Sequence, residues 1–220
     1  MDPAVEWRTA APAPRLRACI DRYVGYRMTG FPPGLHRGLP SRHMTFIASI
    51  GPTIDVVSQT DPRQAPASYG CVLSGLQASL AVISHTGHQE GVAIELTPLG
   101  CRTLFGMPSR ALWNTSVECA DVAGATGREL WERVHGLDSW DARFAACGEV
   151  LAARVVRFER AREMLQSTPS FVTVAQVAAV CGYYDQAHLD RDFAELAGCA
   201  PTTWLAEELP SFQDGQVGRV

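Results

Sequence analysis

The stretch from Thr173 to Trp204, TVAQVAAVCGYYDQAHLDRDFAELAGCAPTTW, constrains this chain more than any other. It reads as two short helices joined by a tight turn. Thr173 is a good N-cap, and Gln176 three residues on completes a capping-box pattern, in which each side chain serves the other residue's backbone N–H. Val174, Val177, Ala178 and Cys181 recur at helical spacing and supply one apolar face. Gly182 falls where a C-terminal residue must turn left-handed, a conformation that penalises any Cβ. Asp185 is placed to cap a second helix, whose Leu189, Phe193 and Leu196 fall on one side. Gly198 closes that helix, and Pro201 starts a further helical turn that ends in Trp204 and Leu205. Two short helices around a glycine-containing turn form a helix-turn-helix, a unit whose second helix can enter a DNA major groove.

Gly182-Tyr183-Tyr184-Asp185-Gln186-Ala187-His188-Leu189, followed by Arg191, Phe193, Gly198 and Pro201, resembles the C-terminal signature of AraC/XylS-type transcription regulators. The upstream run Val156-Arg157-Phe158-Glu159-Arg160-Ala161 is similar to that family's helix leading into the motif. The resemblance implies a transcription regulator that binds DNA sequence-specifically through the helix at 185–197. The groove-facing positions are then Gln186, Ala187, Asp190, Arg191 and Ala194. Gln186 suits an adenine edge, and Arg191 a guanine or a phosphate. Arg154, Arg157 and Arg160 suit either phosphate contact or a solvated face pairing with Glu159 and Glu163. Asp190 and Asp192 would meet phosphate repulsion if they point outward. Tyr183 and Tyr184 are expected to pack the turn rather than stack on bases, and His188 to pack beside the core.

Charge distribution tempers this expectation. The formal net charge is −4, and all 19 basic residues are arginine. Residues 151–220 hold six arginines against nine acids, so the expected reading half is itself acidic. Hydrophobic content of 46% and charged content of 19% are ordinary for a globular chain. No run of about 18 apolar residues suggests a membrane span. The N-terminus lacks the apolar core of a secretory signal, so a cytoplasmic protein is expected. Seven scattered cysteines without a CxxC pair argue against a disulfide framework or a zinc ribbon and fit small core residues.

The remainder divides by pattern. Residues 1–14 read as a flexible Pro/Ala arm, and Leu16, Ile20, Tyr23 and Val24 predict a helix over 15–27. FPPGLHRG reads as a loop. HMTFIASI, TIDVVS, GCVLSGLQ, LAVISH and GVAIEL predict strands of a small antiparallel sheet or barrel. Helices are predicted from about Leu99 to Gly106, over 121–134 and over 139–162, the last either continuous or broken at Gly148. Gly91 to Gly100 resembles the cupin-like effector domain that precedes the DNA-binding half in the same family, which implies a small-molecule effector pocket. The expected class is therefore α+β: a small β-rich cupin-like domain (15–135), linking helices (136–172), one helix-turn-helix (173–209) and a tail (210–220).

Members of the family carry two helix-turn-helix units joined by a long helix, and here the pattern of the first is missing. Losing half the phosphate contacts weakens binding by orders of magnitude at physiological salt, although a homodimer, or a heterodimer with full-length relatives, would restore part of it. A ligand-sensing or dimerising interaction protein without DNA binding of its own is the alternative. Enzymatic readings find little support. His85 and His88, with Glu90 after them, are spaced so that a strand would splay them apart, and His36 and His43 lie in or beside a loop. No nucleophile elbow, phosphate-binding loop or zinc-protease helix is present. Neither catalytic residues, nor a metal, nor a cofactor is expected.

Overall fold

The computed structural model describes residues 2–105, 107–167 and 172–214. Ten strands and six α-helices follow in chain order: β1 (Ala4–Ala10), β2 (Ile20–Thr29), β3 (Gly34–Gly38), β4 (Met44–Ser49), β5 (Ile54–Ser58), β6 (Ala67–Tyr69), β7 (Cys71–Ser74), β8 (Ala81–His85), β9 (Gln89–Leu96), α1 (Pro98–Phe105), β10 (Ser116–Glu118), α2 (Cys119–His135), α3 (Trp140–Ser167), α4 (Val174–Val180), α5 (Gln186–Leu196) and α6 (Pro201–Asp214). The chain divides into two compact units, Met1–Ala152 and Ala153–Val220. The α+β class is as expected, a β-rich unit followed by a helical one.

The first unit is built from two antiparallel sheets. One runs β1-β2-β9-β4-β7-β10 and the other β3-β8-β5-β6. Alternation along the strands explains how they stack. From β4, Met44, Phe46 and Ala48 are buried against the helices, and Phe46 stacks on Phe105 of α1. Ile47, pointing the other way, joins Ile54, Val56, Tyr69, Val72, Ala81 and Ile83 in a cluster between the sheets. With both faces covered, the large sheet gives continuous apolar runs in place of a clean polar–apolar alternation.

Strand pairing accounts for three corrections. Residues 15–27 form a short 3₁₀ turn and then β2, because pairing of Ile20–Thr29 with both β1 and β9 outweighs the helical spacing of Leu16, Ile20, Tyr23 and Val24. The expected flexible arm at 1–14 carries strand β1 at Ala4–Ala10, held in register by β2. Part of the expected loop at 30–38 is β3, paired with β8.

The start of α3 is locked onto this unit. Trp140 Nε1 donates to Glu6 Oε1 at 2.9 Å, and its indole lies over Gly25, where a Cβ would come within 2.4 Å of the ring. Arg143, 5% exposed, bonds the Glu90 carboxylate at 3.1 Å and lies 4.9 Å over the Trp140 ring. Gly148 does not break the helix. The chain divides after Ala152, just past the stretch 136–150 in which the sequence puts the boundary, because the first turns of α3 belong to the β-rich core.

In the second unit, Leu165, Val177, Ala178, Cys181, Tyr183, Leu189 and Phe193 form one buried cluster, with Phe158, Trp204 and Leu205 packed against it. Residues 168–171 and 215–220, which include the end of the expected linking segment and most of the expected tail, lie outside the described residues. Residues 210–214 of that tail continue α6.

Candidate nucleic-acid interface and cavity

The helix-turn-helix is assembled by the devices its sequence announces. Thr173 Oγ1 accepts from the Gln176 backbone N–H at 3.2 Å, and Gln176 Oε1 accepts from the Thr173 N–H at 2.8 Å, closing the capping box. At the far end of α4, the Tyr183 N–H returns to the Ala178 carbonyl at 2.9 Å and the Gly182 N–H to Ala179 at 3.3 Å. This is a Schellman ending, and Gly182 supplies the required left-handed φ of 81°. Asp185 caps α5 by accepting from the His188 N–H at 2.7 Å. Three local signals thus fix the angle at which α5 leaves the turn.

The two faces of α5 are distinct. Leu189 and Phe193 are fully buried, whereas Gln186, Ala187, Arg191 and Ala194 are exposed and Asp190 is half-buried. Positions 187, 190, 191 and 194 lie on one helical face, with Gln186 at its edge. Gln186 Nε2 reaches the Asp190 carboxylate at 3.4 Å, a weak contact that leaves both side chains free to move.

The sequence did not anticipate how the charged residues behind this face divide. Asp192 does not point outward: it is 4% exposed and ion-paired at 3.0 Å with Arg154. Arg154 is therefore a core residue and not part of a solvated face. Arg157 is half-buried with its guanidinium 5.0 Å over the Tyr183 ring, while Arg160 is exposed. Among the described residues, the Tyr183 hydroxyl, Arg157 Nε and Asp192 Oδ2 are buried without a hydrogen bond. Burial, with the Asp192 charge second, pushes the Tyr183 hydroxyl well above its ordinary range. Tyr183 packs the turn as expected, but Tyr184 does not, being 93% exposed. His188 packs edge-on against Tyr183, with ring centroids 5.0 Å apart.

A second feature lies inside the β-rich unit. Trp7, Tyr26, Met28, Ile47, Gln89 and Ala93 from the large sheet, with His36, Ile54, Ile83 and His85 from the small one, line a partly open cavity of about 440 Å³. The size and apolar walls suit a small organic molecule. His36 and His85, which the sequence left in loop and turn, stand beside each other with ring centroids 6.0 Å apart. Strand pairing of β3 with β8 brings them together, and sequence spacing alone carries no trace of that. Partial desolvation and, second, the neighbouring His85 hold the His36 imidazole below its ordinary range. Burial pushes the Tyr26 hydroxyl up to about 12, so it stays protonated.

Asp21, His43 and Glu95 are the one grouping among the described residues with metal-ligand spacing. Both Glu95 oxygens are occupied by Arg22 at 2.8 Å, and Arg42 lies 3.6 Å from Asp21, so the cluster reads as an ion-pair network. His85 and His88 do not converge with Glu90, whose carboxylate is held by Arg27 and Arg143. All cysteines are free thiols, and six are buried. Burial raises Cys101 to about 11 and Cys147 to about 12, which keeps them protonated and unreactive. No helix is long and apolar enough to cross a membrane among the described residues.

Residues 151–207 match a family model described as a helix-turn-helix domain. Residues 8–118 match the family described as a domain of unknown function, DUF6597; that match spans half of the chain, and the chain belongs to this family. No curated protein sequence matches the chain. Among solved structures, ToxT from Vibrio cholerae is similar at 9% identity over 91% of this chain and 98% of ToxT, with a TM-score of 0.27. ToxT bound to (E)-4-(8-methylnaphthalen-1-yl)but-3-enoic acid gives 10%, 91% and 98% with a TM-score of 0.25. Unsaturated fatty acid bound ToxT gives 8%, 92% and 94% with 0.24. TM-scores this low do not establish a common fold.

Proposed function

We propose that the chain is a sequence-specific DNA-binding transcription regulator that reads DNA with α5 and takes a small-molecule effector in the β-rich unit. Gln186, Ala187, Asp190 and Arg191 face the bases, and Arg157 and Arg160 serve the phosphates. The observation that carries the reading is the outward face of α5, polar and exposed on a helix whose other face is fully buried. A helix held this way by caps and core, with its first turns free, has the form needed for major-groove entry. One such pair is described in the second unit, so each protomer makes few phosphate contacts and binds weakly alone. Dimerisation, with itself or with relatives carrying two readers, raises the affinity.

A second reading has one observation in its favour. The second half carries more acids than arginines, and Asp190 sits on the reading face itself. In that case the chain is an interaction protein that senses a ligand or pairs with relatives and does not bind DNA.

Selection of random duplexes by the purified chain, followed by shift assays at low and moderate salt, separates the two. The regulator reading expects one enriched sequence and an affinity that falls with salt, with a log–log slope of about −2 to −5. Absence of enrichment together with absence of binding at low salt overturns it and leaves the interaction protein.

A further inference from the structure

Two cysteines of the β-rich unit face each other across a strand pair. β10 runs antiparallel to β7, with Ser116 opposite Ser74, Val117 opposite Leu73 and Glu118 opposite Val72. One step further, the same register sets Cys119, the first residue of α2, opposite Cys71, the first residue of β7. The Glu118 carboxylate holds the end of the ladder in place, accepting from the Gly70 and Cys71 N–H groups at 3.1 and 3.0 Å. Residues opposite each other in an antiparallel pair have Cα atoms about 4.5–5.5 Å apart and side chains on the same face. A disulfide spans about 4.4–6.8 Å between Cα atoms, so the pairing suits one.

The two thiols differ in access. Cys71 lines a partly open cavity of about 340 Å³ beside α2, with Arg128 and Trp131 also on its wall. Cys119 is fully buried. Burial, with the neighbouring Cys71 thiol second, pushes the Cys119 thiol far above its ordinary range, so Cys119 does not start a reaction that needs a thiolate. α2 leaves helical geometry at Gly124 (φ 52°, ψ −124°), which sets its first turn, Cys119 included, apart from the rest of the helix. The short closing movement that an S–S bond requires falls on this turn and not on the sheet.

We infer that Cys71 and Cys119 form an oxidisable dithiol, which a small hydroperoxide entering this cavity converts to a disulfide. With hydrogen peroxide, the Cys71 sulfur attacks one oxygen, the O–O bond breaks, and Cys71 becomes a sulfenic acid as one water leaves. The Cys119 sulfur then attacks the Cys71 sulfur. The S–O bond breaks, the S–S bond forms, and the departing hydroxyl takes the Cys119 proton as a second water. Two thiols give up two electrons and two protons, and the peroxide takes up both. The new bond ties the start of α2 to β7, and a thiol reductant reverses it. This chemistry goes beyond the regulator reading and is independent of it.

The test is oxidation of the folded full chain with hydrogen peroxide, then alkylation in denaturant, proteolysis without reductant and mass mapping. The Cys71 and Cys119 peptides are expected joined, lighter than their sum by two hydrogens, and joined before any other pair of cysteines. Dithiothreitol should separate them. The urea midpoint of the β-rich unit should rise on oxidation of the wild type and not of Cys71→Ser. Dimedone, which traps sulfenic acids, is expected to label Cys71 in Cys119→Ser and to leave Cys119 unlabelled in Cys71→Ser. Cys199, the one thiol of the seven that is not buried, reports the oxidant dose in each chain. The wild-type map needs no variant, so a variant that fails to fold does not spoil it. Recovery of Cys71 and Cys119 as alkylated thiols at a dose that oxidises Cys199 overturns the pairing, as does joining of either to another cysteine. Dimedone on Cys119 in Cys71→Ser overturns the assignment of Cys71 as the point of attack.

Discussion

Arg154 and Asp192 form a buried ion pair that fastens α5 to α3 within the second unit, with Nη2 and Nε of the arginine 3.0 and 3.1 Å from one carboxylate oxygen. Their side chains are 6% and 5% exposed. The pair takes a negative charge off the surface of a helix proposed to approach phosphates, and it sets the rotation of α5 about its own axis. Removing the arginine leaves the Asp192 carboxylate buried without its ion pair, which costs about 3–5 kcal/mol. Arg154→Ala is therefore expected to shift urea unfolding of the second unit strongly, whereas the Arg154→Met/Asp192→Leu double variant stays within about 1–2 kcal/mol of wild type. Equal losses from the single and double variants would show that the charge itself is not the source of the cost.

Gly25 and Trp140 give a second prediction. A methyl group at Gly25 would sit 2.4 Å from the indole, and the ring cannot yield without losing its bond to Glu6. Gly25→Ala is expected to cost about 1–3 kcal/mol by overpacking. The near-ultraviolet circular dichroism of Trp140 should change with it, and Trp140→Leu in the same chain should recover part of the loss.

Glu90 supplies a pH dependence. The Arg27 hydrogen bond holds its carboxyl below the ordinary value of 4.5, against an opposing contribution from burial. Its stabilising effect is fully present above that value and is lost as the pH falls through the lowered folded pKa. Urea midpoints measured from pH 6 to pH 3 should fall less steeply for Glu90→Gln than for wild type. Parallel curves would mean that the Arg27 pair does not titrate with folding.

Much of the second unit was legible in the sequence, because its determinants are local. The capping box at Thr173, the left-handed Gly182 and the Asp185 cap all operate within a few residues, and each was found where the spacing placed it. The first unit was less legible at its start. β1, β2 and β3 are defined by partners far along the chain, such as Trp7 opposite Tyr26 and Tyr26 opposite Gly91. The cavity was hidden for the same reason: His36 meets His85 only through the register of β3 on β8. The inward side of Asp192 was left open by the sequence because outward and inward positions at the flank of a helix differ by one residue, and a buried arginine partner 38 residues upstream leaves no local pattern.

Asp190 on the reading face bears on affinity. It is half-buried and its contact with Gln186 is long, so Asp190→Asn should leave the unfolding midpoint within about 0.5 kcal/mol of wild type. Removing a charge that repels phosphate is expected to tighten DNA binding several-fold at low salt, and less at high salt. Unchanged affinity at both salts would place Asp190 outside the interface.

The most direct measurement of the central claim is the base preference of wild type and Arg191→Ala on a selected duplex, compared at one salt concentration with every single-base variant of that duplex. If α5 reads the groove, Arg191→Ala keeps its fold and loses discrimination at one base pair by about 1–3 kcal/mol, with the other positions little changed. An unaltered preference at every position, with Arg191→Ala folded, would contradict the claim that this helix is the reader.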